Sequence, residues 1–503
     1  MLASLASRFV FCTKSRNCVV EVRPPVGTKE FKDDDARLTT TCRSFPFRFL
    51  FFCLAVSVIL LCNVMAWTPA SRADLFKAGD FVPSNRQHCL ETTSEGLRWE
   101  GASADGRIQI RQLKDGPQFY NTRTGAKFIP RGNNYIRLAR LQDPWGGHNF
   151  GHSLFDPIHY NAQCAQAALS AMRSKGYNVV RVFISEISSG SEDGPGLNID
   201  YMRNLADFLR NAKKLNIRVI VVFWRLPRQG GYQPTIPPPA TMEGVNAYFL
   251  HQPFIDAKKR YVRDFLSELK AQNAPLEVVL AWDLENEAHF IDNKKPLALV
   301  SGNITTANGQ TFNMANTNDR RRIVEEGLVY WSEQVSAGVK EIDPEALVTM
   351  SFFSPISVDG DDPRITWTRK VISDPEAGGS LLDLVDIHLY PGSIQIEDEL
   401  ESFEITKSRK PIILGEMGIW MPPVTKVDRP IDAIDFLRLL QIRSCDKRFR
   451  VSGWVLYSWD TLETAIGRRD IYTASDNDWE IADRLSPSKL YEPCADRSFA
   501  QLH

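Results

Sequence analysis

Eight short apolar runs, rich in β-branched residues, are separated by longer segments with apolar residues at helical spacing. The runs are predicted to be strands at Phe128–Gly132, Asn178–Ile184, Ile217–Trp224, Glu277–Asp283, Leu347–Phe353, Leu384–Leu389, Pro411–Leu414 and Val451–Tyr457. Helices are predicted at Ala162–Lys175, Asp200–Lys214, Phe254–Gln272, Arg320–Glu341 and Ile431–Ile442. Strands that are apolar on both faces and alternate with helices favour a parallel sheet covered by helices.

Eight such units close most simply into a (β/α)8 barrel, whose chemistry lies at the carboxyl ends of its strands. A doubly wound open sheet is the alternative, but no Gly-rich phosphate loop follows the first strand. Phe119–Pro130 is predicted to be an N-terminal β-hairpin that turns at Arg123-Thr124-Gly125. Asp359–Gly379 is polar and irregular, so no helix is evident between the fifth and sixth strands.

One long apolar run lies near the start of the chain. Phe49–Trp67 contains 19 residues without a charge, which is long enough to span a bilayer. Its arginine-flanked start and small-residue end also fit a secretory signal peptide. Residues 1–48 carry nine lysines and arginines against five acids, which predicts a cytoplasmic tail.

Either a cleaved signal peptide or a type II signal-anchor would send everything after about residue 70 across a membrane. We therefore expect the domain to be secreted, or to be membrane-anchored and face the outside. The predicted organisation is a disordered tail at 1–48, the apolar segment at 49–67, a lead-in at 68–115 and the barrel at 116–495.

Four of the nine cysteines lie in the predicted exported region: Cys89, Cys164, Cys445 and Cys494. In an oxidising compartment they could form two disulfides, and all three connectivities remain open. No Cys/His spacing indicates a metal site. Asn303-Ile304-Thr305 is a sequon for N-glycosylation.

The charge balance excludes one class of partner. Lysine and arginine total 60 against 61 aspartates and glutamates, whereas a nucleic-acid or anionic-membrane binder shows a basic excess. A membrane contact is therefore expected only through residues 49–67. The 11 tryptophans are compatible with a site that binds a polysaccharide or oligosaccharide.

Polar and aromatic residues lie at the ends of five predicted strands. They are Arg181, Glu285-Asn286-Glu287, His388 with Tyr390, Glu416, and Trp459. Glycosidic cleavage needs two carboxyl groups across a site, one to protonate the leaving oxygen and one to attack or support the anomeric carbon. A separation of about 5–5.5 Å makes the second a nucleophile and gives retention of configuration. A lone glutamate at a strand end is more often a solvated residue, but five such ends together favour a site.

The order of these motifs resembles glycoside hydrolase family 5, within a clan of retaining (β/α)8 hydrolases. The motifs are Gly176–Arg181, Trp282–Glu287, Asp386–Tyr390, Pro411–Glu416 and Gly453–Trp459. The resemblance covers roughly residues 119–459. It implies a glycosidase that uses no metal and no other cofactor.

The resemblance also implies roles for single residues. Glu287 would be the general acid/base and Glu416 the nucleophile. Arg181 and Tyr390 would hold the nucleophile ionised, and Asn286 would bond the sugar 2-hydroxyl.

Three further residues are implied at the edge of the site. His388 would orient the acid, Trp459 would stack under the sugar at the cleavage subsite, and Trp224 would contact substrate. Similar enzymes have a cis peptide just after the tryptophan, so the bond from Trp459 to Asp460 is predicted to be cis.

Two departures from the family pattern bear on the substrate. Ala288 follows the acid where many relatives have proline, and Phe223–Pro227 lies just after the third strand, where many cellulase-like members carry a histidine. Trp224–Gly231, Phe249–Val262 and Glu341–Val348 are similar to the endo-β-1,4-mannanase branch. Mannan is therefore the first predicted substrate, and a β-1,4-glucan or another β-linked polymer is the next.

Two other classes of protein remain as alternatives. A catalytically inactive carbohydrate-binding protein would have no reason to keep both Glu287 and Glu416. A metal-dependent barrel enzyme would need clustered histidine and aspartate ligands, and His388 is the one histidine among the strand-end residues singled out.

Overall fold

The computed structural model describes most of the chain from residue 105 onward. The described residues are 105–487, without 115, 145, 147, 357–363, 366–381, 392–394, 423–424 and 460–470, together with 493–494. All of them belong to the unit Pro83–His503. The predicted tail at 1–48 and the apolar segment at 49–67 lie outside the described residues, as does most of the lead-in. Among the helices that are described, none combines the length and the apolarity needed to cross a membrane.

The strands follow the chain in the order β1 to β17. They are β1 (Ile108–Leu113), β2 (Gly116–Asn121), β3 (Arg131–Asn134), β4 (Leu138–Gln142), β5 (His148–His152), β6 (Val179–Phe183), β7 (Arg218–Val222), β8 (Val279–Asp283), β9 (Phe290–Ile291), β10 (Asn303–Thr305), β11 (Thr311–Asn313), β12 (Val348–Thr349), β13 (Ser351–Phe353), β14 (Arg364–Ile365), β15 (Val385–Leu389), β16 (Ile412–Met417) and β17 (Val451–Leu456).

The large sheet closes on itself. Its parallel neighbours run β12, β8, β7, β6, β3, β17, β16, β15 and β13. β12 and β13 are two parts of one strand interrupted at Met350, and they pair with β8 on one side and β15 on the other. Because both ends of the order belong to the same strand, the structure is a (β/α)8 barrel and not an open sheet.

Seven of the described helices lie between barrel strands in the chain, and the eighth follows the last strand. They are α1 (Ala162–Ser174), α2 (Ile199–Lys214), α3 (Gly244–Leu250), α4 (Gln252–Ala271), α5 (Thr317–Ile342), α6 (Ile396–Ser402), α7 (Pro430–Ser444) and α8 (Asp476–Arg484). All five predicted helices are confirmed to within three residues at each end. The irregular segment Asp359–Gly379 lies outside the described residues, apart from β14.

Local sequence explains where the helices begin and which face they bury. The side chain of Asn198 accepts a hydrogen bond from the Tyr201 amide and caps α2. Tyr201, Leu205 and Phe208 then follow at helical spacing and are fully buried. This apolar stripe packs the helix against the outside of the barrel wall.

The N-terminal hairpin is present, but it begins earlier than predicted. β1 pairs with β2 in antiparallel register from Ile108 opposite Asn121 to Leu113 opposite Gly116. The alternation in Ile108–Leu113 is the signal that would have identified β1. The predicted turn at 123–125 follows β2, where Tyr120 and Lys127 form a single bridge.

The first barrel strand also begins at Arg131 and not at Phe128. The Phe128 amide donates to the Phe119 carbonyl, so Phe128 belongs to the hairpin region. Pro130 has no amide hydrogen to donate to a neighbouring strand. In the fourth unit, Leu276–Val278 is a 3₁₀ turn, so that strand starts at Val279.

One of the open disulfide pairings is resolved. Cys445, which follows α7, is bonded to Cys494. Cys164 in α1 is also disulfide-bonded, to a cysteine outside the described residues.

Candidate active site

The carboxyl ends of the barrel strands bring most of the predicted site residues together on one rim. Arg181 lies in β6, His388 in β15 and Glu416 in β16, whereas Asn286 and Glu287 follow β8 directly. All five are buried or mostly buried. Since parallel strands end on the same side of a barrel, these side chains converge.

The two predicted glutamates face each other across His388. One carboxylate oxygen of Glu287, one of Glu416 and a ring nitrogen of His388 all lie within 4.8 Å of one another. This agrees with the predicted separation of about 5 Å, which is typical of retaining glycosidases. The side chain of Glu287 is 23% exposed and that of Glu416 is 5% exposed, so substrate can reach both from the rim.

Two donors hold the Glu416 carboxylate. Arg181 Nη1 donates to Glu416 Oε1 at 2.6 Å, and the Tyr390 hydroxyl donates to Glu416 Oε2 at 2.6 Å. Arg181 is itself fully buried and also bonds Asp283 Oδ2 at 2.8 Å. Donors to both oxygens fix the orientation of the Glu416 carboxylate, as an attacking group requires.

The environment of Glu287 differs from that of Glu416, because desolvation by burial dominates it. Burial of most of the side chain raises the pKa of Glu287, and the positive charges of Arg364, Arg181 and His289 oppose this shift only in part. Its backbone has a φ of 49°, and its amide donates to Ser351 Oγ at 3.1 Å. A non-glycine residue in the left-handed region costs on the order of 1–3 kcal/mol and is common at functional sites. The raised pKa favours the protonated form, which is the form of a general acid.

His388 contacts both glutamates. Its Nδ1 lies 3.0 Å from Glu287 Oε1 and 3.5 Å from Glu416 Oε2. Burial lowers the pKa of His388 to about 3, and the Arg181 charge acts in the same direction, although Glu416 opposes it. His388 is therefore neutral at ordinary pH and can orient Glu287 without adding a positive charge.

Asn286 is fixed through its oxygen. Arg181 Nη2 donates to Asn286 Oδ1 at 2.9 Å. Among the described residues the side-chain nitrogen of Asn286 has no hydrogen-bond partner, and it is not among the fully enclosed atoms. It is thus free to donate to a substrate hydroxyl, as predicted for the sugar 2-hydroxyl.

Two buried acids beneath the site were not predicted. Asp283 and Asp386 are fully buried, and Arg181 lies between them and Glu416. Burial raises the pKa of Asp386 well above its ordinary value, and the charges of Asp283 and Glu416 add to this against the opposing Arg181. The alternation Asp386-x-His388-x-Tyr390 is the signal that would have found it, since alternate strand residues share a face.

Asp386 also explains the glycine before the nucleophile. A Cβ atom at Gly415 would lie 2.0 Å from Asp386 Oδ1 and 2.3 Å from Oδ2. These distances are far below any allowed contact, so the Asp386 carboxyl occupies the space of a side chain at Gly415.

A second buried network supports the acid from the side of β7. Glu285 accepts from the Tyr248 hydroxyl at 2.8 Å and is ion-paired with Arg225 at 2.9 Å and Lys258 at 3.3 Å. Lys258 also donates to the Trp224 carbonyl. Burial lowers the pKa of Lys258 to about 8 against the opposing Glu285 charge. The network ties the loop after β7 to the segment that carries Glu287.

The two predicted tryptophans differ in position. Trp224 is partly exposed and lies against His152 and Phe183, with ring centroids 5.9 Å and 6.2 Å away. Trp459 is fully buried and packs on Trp479 at 4.8 Å and Tyr177 at 6.2 Å. The stacking role of Trp459 stays a prediction.

The predicted cis peptide after Trp459 lies outside the described residues, because Asp460 is not among them. Two residues earlier in the chain, the bond from Tyr457 to Ser458 is cis.

Glu287, His388 and Glu416 are also chemically able to hold a metal ion, since each offers one ligand atom within 4.8 Å of the others. A cation there would compete with the Arg181 guanidinium and the Tyr390 hydroxyl, which already donate to both oxygens of Glu416.

Comparison with solved structures gives remote matches. An endo-1,4-beta-mannanase from Rhizomucor miehei is 15% identical, with 75% of this chain and 97% of that chain covered and a TM-score of 0.48. A beta-1,4-D-mannanase from Cryptopygus antarcticus is 15% identical, with 76% and 94% covered and a TM-score of 0.46.

The exo-beta-1,4-mannosidase Op5Man5 from Opitutaceae bacterium strain TAV5 is 16% identical, with a TM-score of 0.47. The match covers 75% of this chain but only 62% of that protein. No protein-family model matches the sequence, and no curated protein matches it.

Proposed function

We propose that the chain is a retaining β-glycosidase of glycoside hydrolase family 5, with Glu416 as nucleophile and Glu287 as general acid/base. The observation that carries the proposal is the contrast between these two glutamates, whose nearest oxygens lie within 4.8 Å. Glu416 is held by two donors, whereas burial raises the pKa of Glu287. Paired carboxyl groups in opposite environments are typical of an acid and a nucleophile in one site.

In the first step Glu416 attacks the anomeric carbon while Glu287 gives its proton to the leaving oxygen. The glycosidic bond breaks, and a covalent bond forms between the sugar and a Glu416 oxygen. Arg181 and Tyr390 donate to its two oxygens and hold the carboxylate aimed before attack. Asn286, fixed by Arg181, offers its side-chain nitrogen to a hydroxyl of the sugar.

In the second step the roles of Glu287 reverse. Its carboxylate takes a proton from water, the water oxygen bonds to the anomeric carbon, and Glu416 leaves as a carboxylate. His388, neutral and 3.0 Å from Glu287, holds the carboxyl in place in both steps. Two inversions at one carbon give net retention.

We propose β-1,4-linked mannan as the substrate. The support is the similarity of Trp224–Gly231, Phe249–Val262 and Glu341–Val348 to the mannanase branch. Trp224 follows β7 and lies 6.2 Å from the Phe183 ring, and this segment carries no histidine. β-1,4-Glucan is the second candidate.

A substrate panel tests the proposal. The purified part of the chain after about residue 70 is expected to release reducing sugar from β-mannan faster than from β-glucan or xylan. A chelator is expected to leave this rate unchanged. The anomer released first from a defined oligosaccharide, read by NMR, should keep the β configuration. Matched reactions with and without chelator provide the control.

Other outcomes would indicate a different substrate or a different class of protein. Faster release from β-glucan would replace mannan as the substrate but keep the mechanism. Binding of polysaccharide with no release would favour an inactive carbohydrate-binding protein. Loss of activity in chelator, restored by a divalent cation, would assign Glu287, His388 and Glu416 to a metal site and overturn the mechanism.

We propose that the domain is exported, with the run at 49–67 as signal peptide or anchor. The disulfide between Cys445 and Cys494 supports this, because such bonds persist mainly in oxidising compartments. Asn303 of the sequon is exposed in β10. Expression in secreting eukaryotic cells should give protein that enzymatic removal of N-glycans makes smaller, and Asn303→Gln should abolish this change. An unmodified protein retained in the cytosol would contradict the proposal.

A further inference from the structure

Three aromatic rings from consecutive barrel units form a cluster at one side of the rim. His152 ends β5, Phe183 ends β6, and Trp224 follows β7. The rings of His152 and Phe183 are stacked, with centroids 4.4 Å apart and planes 5° from parallel. Trp224 is tilted by 47° to His152 and by 48° to Phe183. These three side chains, called the aromatic wall below, line one side of the rim. His152 was not among the predicted site residues.

This cluster adjoins the nucleophile through a single side chain. The Arg181 guanidinium lies 4.8 Å from the Phe183 ring centroid on one side and bonds Glu416 at 2.6 Å on the other. In the barrel order, β3, β6 and β7 lie on the arc away from β15, which carries His388. The aromatic wall therefore faces His388 across the mouth.

His152 is uncharged, and its two ring nitrogens have no hydrogen-bond partner among the described residues. Burial among the rings lowers the pKa of His152 to about 3, and the Arg181 charge acts in the same direction. Within the described part of the chain, neither ring nitrogen has a hydrogen-bond partner, and neither is among the fully enclosed unpaired atoms. One face of the ring is covered by Phe183, and the residue as a whole is only partly buried.

We propose that His152 and Trp224 form a binding subsite for a neutral hexose unit of the substrate, next to the point of cleavage. A hexose has apolar C–H faces and a rim of hydroxyls, which match a partly exposed indole beside an imidazole with one donor and one acceptor. The proposal rests on the proposed function and deepens it, because it names the group that holds a sugar beyond the two glutamates. An imidazole that served only to fill the core would have its nitrogens paired or enclosed.

Binding to a protein that cannot turn over tests the subsite directly. Calorimetric titration of β-1,4-mannohexaose into the Glu416→Ala protein gives the reference affinity. Adding His152→Leu, which keeps bulk but removes both nitrogens, should weaken binding by about tenfold. His152→Gln, whose amide again offers a donor and an acceptor, should recover part of the loss. His159→Gln is the control, since His159 pairs with Asp156 outside the site.

Steady-state kinetics in the otherwise unaltered protein separate binding from chemistry. His152→Leu should raise KM for mannohexaose by about tenfold and leave kcat for a small aryl β-mannoside within about twofold. Its pH profile should match that of the parent, because His152 is neutral throughout.

Equal affinities and equal KM values for parent and His152→Leu would overturn the inference, as would a parent that binds no hexaose. Absence of turnover in the unaltered protein, with hexaose binding that depends on His152, would instead overturn the proposed hydrolysis and keep the subsite. If His152→Leu does not fold, the affinities of His152→Gln and Trp224→Leu for mannohexaose, measured by the same titration, test the subsite instead. Affinities equal to that of the parent for both variants would overturn the inference.

Discussion

Glu416→Ala is expected to lower kcat on every substrate by on the order of 10⁴-fold or more, because no covalent intermediate can form. The loss should be the same for polymer and for aryl glycosides with good leaving groups, since both need the nucleophile. Arg181 Nη1 and the Tyr390 hydroxyl would lose their shared acceptor. Release of reducing sugar and of a chromogenic phenol measures the two cases.

The variant should remain folded, which makes the loss interpretable. Arg181 keeps its bond to Asp283 at 2.8 Å, so the buried guanidinium is not left without a counter-charge. Glu345→Gln is a matched control, because Glu345 is 77% exposed and precedes β12 at the opposite end of the barrel. A Glu416→Ala protein with more than about a tenth of the parent rate on any substrate would remove Glu416 from the role of nucleophile.

The fold was predictable because its main signals are local. Buried parallel strands need apolar residues on both faces, and runs such as Asn178–Ile184 and Ile217–Trp224 show this directly. The break at Met350 was not predictable in the same way. Leu347–Phe353 is one continuous apolar run in the sequence, whereas in the structure its first half pairs with β8 and its second half with β15.

The closeness of the two proposed catalytic glutamates was predictable because the carboxyl ends of parallel strands meet. Once Glu287 and Glu416 were placed at strand ends, barrel geometry required them to converge. The resemblance to a known family supplied the roles, and the separation within 4.8 Å agrees with them.

The buried ionisable groups could not be predicted with the same ease. Lys258 lies on the apolar face of α4 between Ile255 and Val262, where hydropathy alone would place an aliphatic residue. Its partner Glu285 lies elsewhere in the chain, in the segment that follows β8. The pKa of such a group depends on neighbours that only the folded chain brings together, so periodicity cannot report it.

The position of His152 at the rim could not be predicted from the sequence either. The hairpin of β4 and β5 follows the first barrel strand and was not predicted, and its return strand delivers the imidazole to the rim. The sequence of β5, His148–His152, contains a glycine and two histidines and has no clear apolar alternation. Its role follows only from the stacking on Phe183 and the distance to Trp224.

Glu287→Ala is expected to separate the two steps of the reaction. On polymer, where the leaving group needs a proton, kcat should fall by about 10²–10⁴-fold. On an aryl glycoside with a good leaving group, the first step should survive, but the second step still lacks its base. Phenol should therefore appear in a rapid burst, followed by a slow steady state, which stopped-flow absorbance would show. Equal losses on both substrates would contradict the role of Glu287.

The pH dependence of kcat/KM is expected to show that Glu287 donates the proton to the leaving group. Because burial raises the pKa of Glu287, its acid form persists above the ordinary value of about 4.3, and kcat/KM should fall only at a higher pH as that proton is lost. His388 cannot produce this alkaline limb, since the pKa of His388 is about 3. In Glu287→Ala, the burst rate with an aryl glycoside should lose the alkaline limb, whereas Glu345→Gln should keep it. A limb that persists unchanged in Glu287→Ala would mean that another group donates the proton, and Glu287 would then be a positioning residue and not the acid.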